Sequence, residues 1–250
     1  MTGKRCTAVL LAAGSGSRMK SSVPKQFMML NGKPLIWYAL QAVEQSGIID
    51  DCILVAGEED ISYMRRNIVE KYGFRKAGII VAGGKERCFS VANALKAAAD
   101  QLHRPGQEGY IFIHDGARPF LTEEILGRTY EAVRKYHACV AAVPVKDTIK
   151  VADENGFAAA TPDRNLLWSI QTPQVFDAKL IFGAYGKLTE AWESLQEKGI
   201  AVTDDAGVAE LFTDTKVKLV MGAYENIKVT TPEDIPIAES LLRNRSGKIE

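Results

Sequence analysis

The chain has 250 residues, 46% of them hydrophobic, with 31 basic side chains balanced by 31 acidic ones. That composition suits a globular chain and excludes an extended disordered one, while zero formal net charge excludes a domain that coats nucleic acid through a basic excess. Apolar runs fall short of the ~18–20 residues of a membrane span, and the start shows no secretory pattern, so a cytoplasmic protein is expected.

Residues 7–12 (TAVLLA) predict a buried strand, 34–45 a helix, 51–56 a strand and 59–72 a helix. Residues 78–81 predict a strand, 86–101 an Ala-rich helix, 110–114 (YIFIH) a strand, 122–136 a helix and 138–143 a strand. Continuous Val/Ile/Leu runs between helices imply strands covered on both faces. Their regular alternation predicts an α/β fold, a doubly wound, mostly parallel Rossmann-like sheet with ligands outside the C-terminal ends of its strands.

The rhythm breaks after Pro144. Two short β-prone pieces flank Glu154-Asn155-Gly156, and Asn-Gly between such pieces signals a hairpin. Residues 145–176 are therefore expected to form a projecting β-hairpin arm inserted in a single domain spanning 1–250. Helices are expected again at 178–198 and 205–211, a strand at 217–220, and a last helix at 232–243 opened by Thr231-Pro232-Glu233-Asp234.

Charge is uneven along the chain. Glu44 is the first acid, and Lys4, Arg5, Arg18, Lys20, Lys25 and Lys33 precede it. Such a segment is either a local anion site or a solvated basic face. The four cysteines, Cys6, Cys52, Cys88 and Cys139, form no CxxC pair and are expected to be reduced and buried. His103, His114 and His137 are scattered, so no structural zinc site is expected.

Three segments carry chemistry. LLAAGSGSRM (residues 10–19), followed by Pro24-Lys25-Gln26, begins where the first strand should end. Gly14 and Gly16 allow close backbone approach, and bare amides there can cradle phosphate. The pattern is neither a Walker loop nor a dinucleotide fingerprint, whose third glycine is here Met19. Arg18 and Lys25 beside such a loop suit a triphosphate attacked at its α-phosphorus, where charge develops on the phosphoryl oxygens and the leaving pyrophosphate. HDGARPF (residues 114–120) puts Asp115 at a strand end, either as a Mg²⁺ ligand beside substrate phosphates or as a turn residue paired with Arg118. GGKERCFSV (residues 83–91) sets Arg87 and Ser90 on the opening turn of a helix, as contacts to a base or ribose or simply as a Gly-rich helix start.

Polar clusters complete the pattern. Asp147-Thr148-Ile149-Lys150 and Gln171-Thr172-Pro173-Gln174 flank the hairpin, with Arg164 between them. Thr203-Asp204-Asp205 fits a helix N-cap, and Lys228 in Asn226-Ile227-Lys228 by itself reads as a surface lysine.

Taken together and in this order over residues 8–242, AAGxGxRM, PKQ, GGxERxxSV, HDxARP, DTIK, QTPQxF, TDDA and NIKxTTPED resemble the 2-C-methyl-D-erythritol 4-phosphate cytidylyltransferases of the nonmevalonate isoprenoid pathway. The related pentitol-phosphate cytidylyltransferases, such as ribitol 5-phosphate enzymes, share PKQF and HDxxRPF but tend to open with AGGxGxRM, and AAGSGSRM here favours the erythritol-phosphate family. A third reading is a CTP-binding homologue without turnover; intact Arg18, Lys25 and Asp115 speak against it.

The resemblance implies attack of the polyol phosphate on the α-phosphorus of CTP, with Mg²⁺ as cofactor. It implies that Arg18 and Lys25 stabilise the pentacoordinate phosphorus. Ala12, Ala13, Gly14, Ser15, Gly16 and Ser17 would wrap the triphosphate, Gly83, Gly84, Arg87 and Ser90 would read cytosine and ribose, and Asp115, Gly116 and Arg118 would lie by the nucleotide, with Asp115 toward the metal. Thr148, Arg164 and Thr172 would hold the polyol phosphate and Lys228 would orient it. It also implies a homodimer in which the arm reaches the neighbouring site. Position 116 is Gly where many relatives have Ala.

Overall fold

The apolar runs assemble into one seven-stranded sheet. A computed structural model describes residues 4–14, 19, 23–101 and 108–246. β1 (Arg5–Ala12) is followed by a 3₁₀ turn (Lys25–Phe27), a small hairpin of β2 (Met29–Leu30) and β3 (Lys33–Pro34), α1 (Leu35–Gln45) and β4 (Asp51–Ala56). Then come α2 (Ile61–Tyr63), which continues in π-helical turns over Met64–Glu70, β5 (Ile79–Ala82), α3 (Arg87–Gln101), β6 (Gly109–Asp115), α4 (Glu123–Tyr136) and β7 (Ala138–Pro144). The second part holds β8 (Val151–Ala152), β9 (Ala158–Ala160), a 3₁₀ turn (Arg164–Leu166), β10 (Trp168–Asp177), α5 (Ala178–Glu197), α6 (Asp205–Phe212), β11 (Lys218–Met221) and α7 (Asp234–Ser246).

The strand order is β11-β7-β10-β6-β1-β4-β5. β1 pairs in parallel with both β4 and β6, and β4 with β5, whereas β10 runs antiparallel between β6 and β7. Successive side chains of a strand face opposite layers. Ala8, Leu10, Leu54 and Phe112 thus pack under α1 and α4, while Val9, Ile53, Ile111 and Ile113 pack under α3, α5 and α6. Both faces are covered, which is why these strands read as unbroken apolar runs. The predicted bounds hold within two residues from β1 through α6, the hairpin region apart.

Two features depart from expectation. Asn31 and Gly32, with φ of 45° and 76°, form a second Asn-Gly turn between β2 and β3. More consequentially, the arm expected at 145–176 is shorter. Residues 168–177 form β10 inside the main sheet, so only 145–167 leave it, with β8 and β9 as a separate exposed pair. The QTPQ run hid this strand, because polar residues and a proline argue against a central position. The sheet tolerates them because the register shifts between Ile170 and Gln174 and because the buried amides are satisfied. Gln171 Nε2 donates to the Ala223 carbonyl at 2.8 Å, and Gln174 bridges Asp204 Oδ2 and the Ala206 N–H at 2.9 and 2.8 Å.

Candidate active site

The chain runs from β1 outward through β4 to β5 and returns on the other side of β1 as β6, leaving a crevice at the strands' C-terminal edge. A cavity of about 470 Å³ opens there. Ala12, Ala13 and Gly14 line it after β1, Gly84, Lys85, Glu86, Arg87 and Ser90 at the start of α3, Asp115 and Gly116 after β6, and Lys25, Gln26, Lys228 and Thr230 close it. Of the charged lining residues, Lys25, Lys85, Arg87 and Lys228 are cationic and Glu86 and Asp115 acidic, a surplus suited to a polyanion.

Lys25 reaches this wall from an anchored turn. Pro24 precedes the 3₁₀ turn, and Gln26 and Phe27, which follow Lys25, turn inward and are buried. Gln26 Nε2 donates to Asp60 Oδ2 at 3.2 Å, and the Phe27 ring lies 4.7 Å from that of Tyr63. In the opposite wall the Ser90 hydroxyl accepts from Gly84 N at 3.0 Å, holding the glycine loop against α3. Gly83 lies beneath the lining: its N–H donates to the Ala56 carbonyl, and an added Cβ would meet Ala13. At position 116 a Cβ would come within 2.9 Å of the Leu11 carbonyl, a close approach that glycine relieves in this chain.

Asp115 is the electrostatic centre. Lys228 Nζ lies 2.8 Å and Arg118 Nε 3.7 Å from its Oδ2, and Arg87 Nε lies 3.8 Å from Oδ1. Burial alone would raise the carboxyl pKa, but Lys228, Arg87 and Arg118 outweigh it and hold it at about 2. Arg87 is shared. Its terminal nitrogens form a two-pronged pair with Asp205 at 2.9 and 2.7 Å, which outweighs the opposing effect of burial and raises its pKa. Asp205 is completely buried and also accepts the Tyr185 hydroxyl at 2.5 Å. The N-cap expected of the TDD run is made by Asp204, whose carboxylate accepts from Gly207 N at 2.9 Å. Asp205 was therefore legible only as half of a capping signal. Its real partner lies 118 residues away in sequence.

A second layer stands behind Asp115. Thr172 Oγ1 accepts from Asp115 N at 3.1 Å and lies 3.0 Å from His114 Nδ1. The Arg118 carbonyl, 3.2 Å from Nε2, can only accept, so Nε2 is the donor and in the neutral ring Nδ1 accepts the Thr172 hydroxyl. Burial pushes the His114 pKa down to about 4, so the ring stays neutral. Asn226 ties the layer together: its Nδ2 donates to the Thr172 carbonyl at 2.9 Å and its backbone carbonyl accepts Arg118 Nη1 at 2.8 Å.

Apart from Gly83 beneath the lining, the expected site residues separate into four groups. Ala12, Ala13, Gly14, Lys25, Gly84, Arg87, Ser90, Asp115, Gly116 and Lys228 share the cavity. Arg118 and Thr172, expected to touch nucleotide and polyol phosphate, lie behind Asp115: β10 carries Thr172 into the sheet, where its hydroxyl meets Asp115 N and His114, and Arg118 Nη1 donates to the Asn226 backbone carbonyl while its buried Nε has no hydrogen-bond partner among the described residues. Thr148 and Arg164 are exposed in the arm and do not line this chain's cavity; Arg164 Nη1 donates to the Lys146 carbonyl at 2.9 Å. Ser15, Gly16, Ser17 and Arg18 lie outside the described residues, as does Lys20. Gln26, Lys85, Glu86 and Thr230 join the lining without having been singled out as binding residues, although Gln26 belongs to the PKQ signal.

Among the described residues no group of three or more His, Cys, Asp or Glu gathers as a metal cage. The two carboxylates of this cationic lining, Glu86 and Asp115, suit a divalent ion that arrives on substrate phosphates. Among the described residues no helix is long and apolar enough to cross a membrane.

Comparison with known proteins agrees with this architecture. The family model for 2-C-methyl-D-erythritol 4-phosphate cytidylyltransferase (IspD) matches residues 6–244. A protein of that name from Lachnospira eligens is 49% identical over 95% of this chain and 99% of its own. One from Lachnoclostridium phytofermentans is 42% identical over 98% of this chain and 100% of its own. The crystal structure of a 4-diphosphocytidyl-2C-methyl-D-erythritol synthase from Anaerococcus prevotii superposes with a TM-score of 0.78 at 36% identity, covering 96% of this chain and 99% of that one. The cavity, its cationic lining and these full-length likenesses lead to one assignment: the chain belongs to the 2-C-methyl-D-erythritol 4-phosphate cytidylyltransferase family.

Proposed function

We propose that this chain transfers CMP from CTP to 2-C-methyl-D-erythritol 4-phosphate, releasing pyrophosphate. The observation that carries the reading is the convergence of Lys25, the Gly14 loop and the Lys228–Asp115 pair on one cavity, in a chain of this family. A phosphate oxygen of the polyol forms the new bond to the α-phosphorus, the bond from that phosphorus to the bridging oxygen breaks, and pyrophosphate leaves with the electron pair. The attacking phosphate monoester is already anionic at neutral pH, so no general base is required. Burial holds the Cys6 and Cys139 thiols protonated, with pKa values pushed up to about 12, so neither serves as a nucleophile.

Catalysis then rests on positioning and charge. The backbone at Ala13 and Gly14 takes the triphosphate, and Arg18 and Lys25 stabilise the phosphorane oxygens. Gly84 and Ser90 shape the wall that receives the base and ribose. Lys228, steadied by Asp115, receives the incoming phosphate, while Thr172 and Arg118 support Asp115 from behind. Mg²⁺ carried by the triphosphate would neutralise phosphoryl charge, and Asp115 is a carboxylate available to meet it.

Purified protein supplied with CTP, Mg²⁺ and methylerythritol phosphate is expected to release pyrophosphate, with a higher kcat/KM than for ribitol 5-phosphate. Folded protein without release refutes the reading, and a reversed preference transfers it to the pentitol-phosphate enzymes.

The protein is further proposed to act as a cytoplasmic homodimer, one domain per chain joined through the arm. Val151, Phe157 and Leu166 are 48%, 73% and 78% exposed on that segment, an apolar display that suits burial against a partner. The buried thiols Cys6, Cys52, Cys88 and Cys139 suit a reducing compartment. In such a dimer Thr148 and Arg164 would serve the neighbour's cavity. Sedimentation velocity is expected to give a dimer that Phe157→Asp weakens; a fully active monomer excludes the shared site.

A further inference from the structure

Two carboxylates compete for Arg87. A guanidinium favours a two-pronged pair with a carboxylate, and Arg87 gives both terminal nitrogens to Asp205 while presenting only Nε toward Asp115 Oδ1, 3.8 Å away. Asp205 prevails because it is fully buried at the start of α6 and the Tyr185 hydroxyl on α5 aligns its Oδ1. Asp115, left outside the fork, takes Lys228 Nζ at 2.8 Å. If Arg87 closed its fork on Asp115, it would compete with Lys228 for the same oxygens and loosen the ammonium from the cavity wall.

We infer that Asp205 is a positioning residue: by holding the Arg87 fork, it keeps Asp115 for Lys228 and so fixes the Lys228 ammonium at the cavity. Neither Asp205 nor Tyr185 lines the cavity, and both act through Arg87. The inference rests on the proposed reaction for its effect on turnover, but its geometry is testable without turnover.

Asp205→Asn removes the charge and one acceptor of the pair. Its kcat per folded site is expected to fall about tenfold or more, the scale of a small misplacement of a reacting group. The calorimetric Kd for CTP should change less than kcat, because the glycine-loop amides do not depend on the pair even though Arg87 lines the cavity. In parallel, the Arg87 Nε–Hε cross-peak, assigned by its loss in Arg87→Lys, should shift on Asp205→Asn. Tyr185→Phe, which keeps the ion pair but loses the aligning hydroxyl, should lower kcat by about threefold and move the same cross-peak by less. A salt bridge that only stabilises the fold predicts a lower Tm with unchanged kcat per folded site, and that result overturns the inference. An unmoved cross-peak in Asp205→Asn also overturns it. If Asp205→Asn does not fold, an unchanged kcat and cross-peak in Tyr185→Phe overturn it. A parent that releases no pyrophosphate refutes the proposed reaction instead, and the cross-peak still decides the positioning.

Discussion

Lys25→Ala is expected to lower kcat for pyrophosphate release at least about 10²-fold, corresponding to roughly 2.7 kcal/mol, the scale of losing one transition-state donor. Lys25 sits on a short turn whose next two residues are buried, Gln26 on Asp60 and Phe27 on Tyr63, so its backbone has little freedom and its side chain lines the cavity. Negative charge grows on the phosphoryl oxygens as the phosphorane forms, so a fixed ammonium contributes more there than to bound CTP. KM for CTP should therefore move less than kcat. Arginine at this position should restore only part of the rate, because a planar fork does not reproduce a compact ammonium. Steady-state pyrophosphate assays on variants with parental melting curves check the effect, and a kcat within about threefold of the parent would reassign Lys25 to the surface.

Asp115→Asn is expected to destabilise the fold by about 3 kcal/mol at neutral pH, because it leaves Lys228, Arg87 and Arg118 facing one another without their common anion. Turnover should fall with it by at least about tenfold, since Lys228 loses its anchor. The pH dependence follows from the carboxyl pKa, lowered from 3.8 to about 2 in the folded protein. A depressed carboxyl stabilises the fold fully above its unfolded pKa and loses that contribution as pH falls through the folded one. The contribution is roughly 2.5 kcal/mol at neutral pH, with roughly 1 kcal/mol gone by pH 3. The stability gap between parent and variant in denaturant unfolding should accordingly narrow between pH 5 and 3. A gap that stays constant or widens on acidification would show that Asp115 does not hold the three cations together.

The sequence made the fold and half of the site legible for identifiable reasons. Strands covered on both faces must be apolar at every position, so β1, β4, β6 and β7 announced themselves as unbroken runs, and the alternation with helices implied a parallel sheet. The glycine loop and Asp115 were legible because they stand directly at strand ends, where this architecture binds ligands, and Lys25 because the PKQ run follows that loop. Lys228 was not, since an isolated lysine near a chain's end carries no local signal, and only the resemblance marked it.

β10 was missed for the opposite reason. Its Gln171, Thr172 and Gln174 look like loop residues, and their burial depends on partners far along the chain, Ala223, His114 and Asp204. The same holds for Asp205, whose neighbour Asp204 performs the cap that the TDD run advertises. By itself the sequence determined the layered α/β architecture, the edge of the sheet at which a polyanion would bind, and the family. Only the tertiary structure decided which polar residues face the cavity and which stand behind it. Hydrogen bonds and ion pairs between distant segments, such as Arg87 with Asp205 and Thr172 with Asp115, leave no periodicity in the chain that makes them.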